Sequence, residues 1–211
     1  MMVVDAKDTS TRGGEGEPDL LALLGARLCH DLISPIGAIG NGLELLELSG
    51  AGGGEEMSLI RSSVDAAMAR IRFFRLAFGP AGGDEPIPAR EMRDIVAAMY
   101  RDTRTEIVWR DGEDRVRSEM RLACLALCCV EVATPWGAKV ELTRNHAAWV
   151  IHVDAKRLKI DHPLWHSLGR GALPSDLSGS EVQFGVLAKL SRELRRPVSI
   201  SADERHLSLI V

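Results

Sequence analysis

From Leu21 to Leu46 the chain repeats one pattern: Leu21, Leu24, Leu28, Leu32, Ile36, Ile39, Leu43 and Leu46 follow one another at intervals of three and four. At about 100° per residue these side chains fall within one arc of a helix and form a packing stripe. Pro35 is the one residue in the run that opposes a helix, and its missing amide donor and ring clash predict a bend there. Ser49-Gly50-Ala51-Gly52-Gly53-Gly54 ends the pattern. A second stripe follows, with Met57, Ile60, Val64, Met68, Ile71, Phe74 and Phe78 at the same spacing over about 55–78. Two long helices joined by a short loop cannot bury two such stripes against each other alone. Two copies can, so the expected assembly is a homodimeric four-helix bundle, each chain supplying one hairpin over 19–79.

The opposite face of the first helix is different in kind. His30 falls about 180° from the centre of the stripe, and Ser34, Gly37, Asn41 and Glu44 follow it at three-and-four spacing. This is one imidazole above a run of small or polar residues, a face another protein can lie flat against. A histidine serving the core would sit on the apolar side. The remaining plain alternative is an idle surface imidazole.

Periodicity changes after Gly79-Pro80-Ala81-Gly82-Gly83-Asp84-Glu85-Pro86, so 80–87 reads as a linker and 88–211 as a second unit. There the pattern predicts a helix over about 88–103, a strand over 105–110, a helix over 118–133, strands over 137–144 and 147–154, an irregular Pro- and Gly-rich stretch, a helix over 180–195, and strands near 197–201 and 205–211. That order predicts a two-layer α/β sandwich, one sheet covered on one face by three helices. Gly82-Gly83-Asp84-Glu85 mimics a diguanylate cyclase signature, but Pro86 follows at once and no strands flank it. Residues 1–18, rich in Gly, Asp, Glu, Thr and Lys, read as a flexible tail.

The net charge of −4 gives no basic footprint for nucleic acid. No uninterrupted apolar run approaches the length of a membrane span and the N-terminus lacks a signal-peptide core, so the expected location is the cytoplasm. Cys29, Cys124, Cys128 and Cys129 form no C-x-x-C pair and lie in apolar helical patterns, which predicts reduced core thiols. Asp161-His162-Pro163-Leu164-Trp165-His166 offers three potential metal ligands, but Pro163 is expected to interrupt helical pairing of His162 with His166, and no fourth ligand follows. No metal site is expected. His146, His152 and His206 fall at strand ends or on strand faces and suggest ordinary packing or surface.

His30-Asp31-Leu32 with Pro35 resembles the phosphoacceptor motif of two-component histidine kinases. The fuller Cys29-His30-Asp31-Leu32-Ile33-Ser34-Pro35-Ile36-Gly37-Ala38-Ile39, with Asn41-Gly42-Leu43-Glu44-Leu45-Leu46, resembles the ChpT-type histidine phosphotransferases, and Arg75-Leu76-Ala77-Phe78-Gly79 is similar to the end of that family's second helix. The resemblance implies a homodimeric, cytoplasmic phosphorelay protein with a kinase-like (DHp-like) hairpin. Its donor would be the receiver domain of a hybrid histidine kinase. Its acceptors would be response regulators of the CtrA-like and CpdR-like kinds. Neither nucleic acid nor membrane is implied as a partner.

In the same order, the second unit resembles a degenerate histidine-kinase ATP-binding domain. Val130-Glu131-Val132-Ala133-Thr134-Pro135-Trp136-Gly137-Ala138 is similar to the end of the kinase asparagine box, but Cys129 stands where a magnesium-holding Asn is expected. Asp154-Ala155-Lys156-Arg157-Leu158 keeps the carboxylate of Asp-x-Gly-x-Gly and neither glycine, and Gln183-Phe184-Gly185-Val186 keeps one glycine of the lid motif. Without those glycines the backbone cannot approach phosphates closely, so loss of ATP binding is expected. The chain itself is expected to bind no cofactor, with Mg2+ supplied by the receiver.

These comparisons with the family set the expected roles. His30 is the phosphoacceptor, Asp31 holds its other ring nitrogen, and Ser34 hydrogen-bonds the phosphoryl group or leaves room for the receiver. Arg27, Gly37, Asn41 and Glu44 are expected at the partner surface, and Pro35 shapes the helix. Two rival functions stay open: an active histidine kinase core, and a receiver-binding dimeric scaffold that carries no phosphate.

Overall fold

Asp19 starts the first helix. Its carboxylate accepts from the backbone N–H of Leu21 and of Ala22, both at 3.1 Å, the cap an aspartate provides ahead of an apolar run. The computed structural model describes residues 2–3, 18–49, 54–80, 85–172 and 176–211. Helix α1 (Leu20–Ser49) runs unbroken through Pro35, whose ring is buried. Helix α2 (Gly54–Ala77) packs along it. Gly42 lies buried between the two, and a Cβ there would stand 2.6 Å from Ile60 Cγ1, so the missing side chain permits the close approach.

Within one chain the hairpin covers only part of its apolar surface. Ser63, Ala67 and Phe74 of α2 are buried, whereas Met57, Val64, Met68 and Ile71 of α2 stay exposed, as do Leu21, Ile36 and Leu43 of α1. By length and composition α1 is apolar enough to cross a membrane over Leu20–Leu46. One side of it packs on α2 and Arg27 reaches into the α/β unit, but most of that apolar window stays exposed within the single chain.

The rest of the chain comprises β1 (Met2–Val3), β2 (Pro86–Ile87), α3 (Ala89–Tyr100), β3 (Glu106–Trp109), β4 (Arg115–Val116), α4 (Arg117–Ala133), β5 (Lys139–Asn145), β6 (Ala148–Asp154), α5 (His162–Gly169), a 3-10 turn at Gly179–Glu181, α6 (Val182–Glu193), β7 (Ser199–Ala202) and β8 (His206–Ile210). One sheet has the order β1-β7-β8-β6-β5-β3. β3 and β5 are parallel, joined by the α4 crossover, and the other pairs are antiparallel. Val140, Leu142, Trp149, Ile151, Val153, Leu207 and Leu209 alternate onto the buried face. Against them lies α4, apolar all round and buried from Leu122 to Val130. Phe73, Phe74, Leu76 and Ala77 at the end of α2 join this same core, so the hairpin's base is part of it.

Several expectations are corrected. Pro86–Ile87, expected as linker, pair with Arg115–Val116; Pro86 is tolerated because it opens a two-residue strand. The irregular stretch after 154 contains α5, a fourth helix. Pro163 sits in its first turn, where no amide donor is needed, and Asp161 caps it by accepting from Leu164 N–H at 3.4 Å. Pro163 therefore does not interrupt the spacing of His162 and His166. Among the described residues, however, no group of three or more His, Cys, Asp or Glu could hold a metal ion. Met2–Val3, placed in the expected tail, pair with Ser201 and Ala202 at the sheet edge. Residues 4–17 of that tail and 81–84 of the linker, which include Gly82-Gly83-Asp84, lie outside the described residues. Cys124, Cys128 and Cys129 are buried core thiols, but Cys29 is exposed.

Candidate functional site

His30 stands on the solvent face of α1, its side chain 88% exposed. The face follows from helical spacing, and Ser34, Gly37, Asn41 and Glu44 are all exposed along it. The ring is not idle on that surface. His30 Nδ1 lies 3.0 Å from Asp31 Oδ1, a contact that assigns the ring proton to Nδ1 and leaves Nε2 as the free nitrogen.

Asp31 is itself held. Its second oxygen, Oδ2, accepts from Arg27 Nε at 2.5 Å, one helical turn back. Arg27, expected among the partner contacts, is instead buried. Its Nη1 donates to the Ser180 carbonyl at 2.9 Å and to Gln183 Oε1 at 3.1 Å. Its Nη2 lies 3.5 Å from Glu131 Oε2. Helical spacing placed Arg27 off the hairpin stripe, and the α/β unit occupies that side.

Gln183 is fully buried and completes the cluster, its Nε2 donating to the Ser180 carbonyl at 2.8 Å. The 3-10 turn that presents Ser180 is locked by a capping box, in which Ser178 Oγ accepts from Glu181 N–H and Glu181 Oε2 accepts from Ser178 N–H at 3.1 Å; the Ser178 hydroxyl also donates to Glu181 Oε2 at 2.6 Å. Gly179 lets this turn seat on α1, because a Cβ there would stand 3.3 Å from the Ala26 Cβ.

Electrostatics follow the burial. Desolvation works to lower the Arg27 pKa, but Asp31 and Glu131 favour the cation and the net direction is upward. Burial pushes the Glu131 carboxyl up against the pull of Arg27. A charged fork buried in this way is costly unless nearly every donor is matched, as here. Beside the cluster a cleft of about 550 Å³ opens between α1 and the α/β unit, bordered by His30 and Asp31 on one wall and by Glu131, Val132 and Ser178 on the other.

The positions that resemble nucleotide-binding motifs have other occupations. Cys129 is fully buried in α4, and burial drives its thiol pKa upward. After Asp154 the chain folds onto the turn before β8, with Ala155 N–H donating to the Arg205 carbonyl at 2.9 Å and Leu158 N–H to the Glu204 carbonyl at 3.0 Å. Gln183–Val186 lie in α6, where Gln183 serves Arg27. The sequence reading missed Glu131, Ser180 and Gln183 as the partners of Arg27 behind Asp31. The one available signal was a glutamine on the otherwise apolar start of α6.

Comparisons with known proteins identify the family. Residues 89–206 match the family described as Histidine phosphotransferase C-terminal domain. The protein phosphotransferase ChpT of Brucella abortus (strain 2308) is 34% identical over 191 residues, which span 87% of this chain and 90% of that one. A solved bacterial phosphotransferase overlays with a TM-score of 0.73 at 34% identity, covering 91% of this chain and 95% of its own. The chain belongs to the ChpT-type histidine phosphotransferases.

Proposed function

We propose that His30 relays a phosphoryl group between the aspartates of response-regulator receiver domains, in a cytoplasmic homodimer that binds no ATP of its own. The observation that carries this reading is the exposed imidazole whose Nδ1 faces Asp31 and whose Nε2 is left free. In the forward step the Nε2 lone pair forms an N–P bond with the phosphorus of an upstream aspartyl phosphate as the acyl P–O bond breaks and the receiver carboxylate leaves. The ring keeps its Nδ1 proton and becomes cationic, and Asp31 stabilises that charge. In the second step the downstream carboxylate attacks phosphorus and the N–P bond breaks. Such a transfer needs positioning and charge stabilisation more than further covalent machinery. The Mg2+ that neutralises the phosphoryl oxygens belongs to the receiver's own acidic pocket.

Ser34, Gly37, Asn41 and Glu44 give the receiver its flat landing face, and the cleft wall at Val132 and Ser178 gives it a second edge. Hybrid-kinase receivers as donors and CtrA-like and CpdR-like regulators as acceptors fit the family. A buried thiol at Cys129, and Lys156 and Leu158 where the two glycines would stand, do not suit a nucleotide with its metal. The apolar stripes left exposed on α1 and α2 support the dimer, which would carry two His30 sites facing outward.

The test supplies a receiver carrying labelled aspartyl phosphate. Acid-labile label is expected on the wild-type chain and none on His30→Gln. A wild-type chain that binds the receiver yet takes no label would be a scaffold.

A further inference from the structure

Asp31 uses its two carboxylate oxygens in two directions. Oδ1 faces His30 Nδ1 at 3.0 Å and Oδ2 accepts from Arg27 Nε at 2.5 Å. The exposure of the three side chains falls inward along this line, from 88% at His30 to 18% at Asp31 and 10% at Arg27. We propose that Arg27 is a positioning residue for phosphotransfer: by fixing Asp31 it sets the ring orientation and tautomer of His30, and it ties both to the seat of the α/β unit on α1.

This inference rests on His30 being the phosphoacceptor. An aspartate on a helix surface samples several rotamers, and only some of them place an oxygen on the imidazole of the adjacent residue. The guanidinium selects among them. Its planar fork makes one bond to Asp31 and two to acceptors on the α/β unit, the Ser180 carbonyl and Gln183 Oε1. Arg27 and Gln183 are 156 positions apart, so the cluster exists only when the two units are docked. Glu131, at 3.5 Å, adds charge without competing for Nε. The seat itself is tight where Gly179 meets Ala26.

During transfer the N–P bond forms at Nε2 and the acyl P–O bond breaks, while the Nδ1 proton stays and the ring gains positive charge. A carboxylate fixed at Nδ1 favours that cation over the neutral ring. Freed from Arg27, it would do so for only part of the time. The same logic governs carboxylates that orient histidines bound to metals, where loss of the outer partner costs about 10–100-fold.

The test compares wild type, Arg27→Lys, Asp31→Asn and the double variant as full-length dimers. Lysine keeps the charge but cannot span Asp31, Ser180 and Gln183 together. Two readouts are used: ¹⁵N chemical shifts of the His30 ring, and the single-turnover rate of phosphoryl uptake against receiver concentration. Arg27→Lys is expected to move His30 from the Nδ1–H form toward a tautomer mixture. It should slow uptake about tenfold with an unchanged half-saturating receiver concentration. The double variant should be no slower than Asp31→Asn alone.

A wild-type tautomer and rate in Arg27→Lys, or multiplying losses in the double variant, would overturn the proposal. If Arg27→Lys gives no soluble dimer, Gln183→Met takes its place, and an unchanged tautomer there overturns it equally. A wild-type chain that takes no label defeats the proposed function instead, while the ring shifts still report on Arg27.

Discussion

The α/β unit and the hairpin treat their apolar residues in opposite ways. In the α/β unit every position from Leu122 to Val130 of α4 is buried within one chain, and Trp149, Ile151 and Leu209 close the sheet side of the same core. In the hairpin, Leu48 is 84% and Leu21 81% exposed, and the expected stripe of α2 faces solvent at Met57, Val64, Met68 and Ile71. One region closes its core within a single chain, with the end of α2 built into it, and the other leaves an apolar stripe exposed. The difference separates two jobs, because the face that carries His30 is neither the closed core nor the open stripe.

The largest effect should come from the smallest structural change. His30→Gln is expected to abolish phosphoryl uptake while sedimentation still reports the wild-type dimer, since the side chain contributes nothing to either apolar surface. Collapse of the dimer in that variant would erase the distinction between the two faces. Next, Ile36→Glu together with Met68→Glu puts charges on the open stripe. If the proposed dimer forms through this stripe, the variant should sediment as a monomer at concentrations where the wild type pairs, yet keep the near-ultraviolet circular dichroism of Trp149 and Trp165.

The closed core responds through folding rather than association. Leu125→Ala should cost about 2–5 kcal/mol in urea unfolding, as a cavity in a packed core does. Leu59→Ala, on the open part of the hairpin, should cost far less in a monomerised background.

A smaller effect is expected from acid. Burial alone would raise the Glu119 pKa, but hydrogen bonds from Arg196 and Arg144 outweigh it and hold the carboxyl below its ordinary range. A carboxyl with a depressed folded pKa stabilises fully above its unfolded pKa and loses that contribution as pH falls through the folded one. Glu119→Gln should therefore lose less stability than wild type between about pH 5 and about pH 3. The smallest change is a null. Cys124, Cys128 and Cys129 should stay unreactive to Ellman's reagent in the monomerised variant, because burial raises their thiols whether or not the hairpin is paired.

Local periodicity carried every long helix, though not α5, and most strands, because burial in a single helix or strand repeats every 3.6 or 2 residues. It also placed His30 outward and Ser34, Gly37, Asn41 and Glu44 beside it. It failed where a residue's neighbours come from far along the chain. The helical angle of Arg27 shows that it leaves the stripe, but not that the Ser180 carbonyl, 153 positions on, will meet it. Pro163 misled for a different reason: a proline breaks a helix in its interior and starts one in its first turn, and only the Asp161 cap distinguishes the cases. The pairings of Met2–Val3 and Pro86–Ile87 span two residues each, too short for any period to register. Cys29 reads as apolar by composition yet sits beside His30 on exposed surface.

The central claim is that the phosphate on His30 comes from another protein. It is tested most directly by offering one wild-type preparation two labelled donors in parallel, ATP with Mg2+ and a receiver carrying aspartyl phosphate. The account predicts acid-labile label on His30 from the receiver within one turnover and none from ATP. Label from ATP in the absence of any other protein would contradict it.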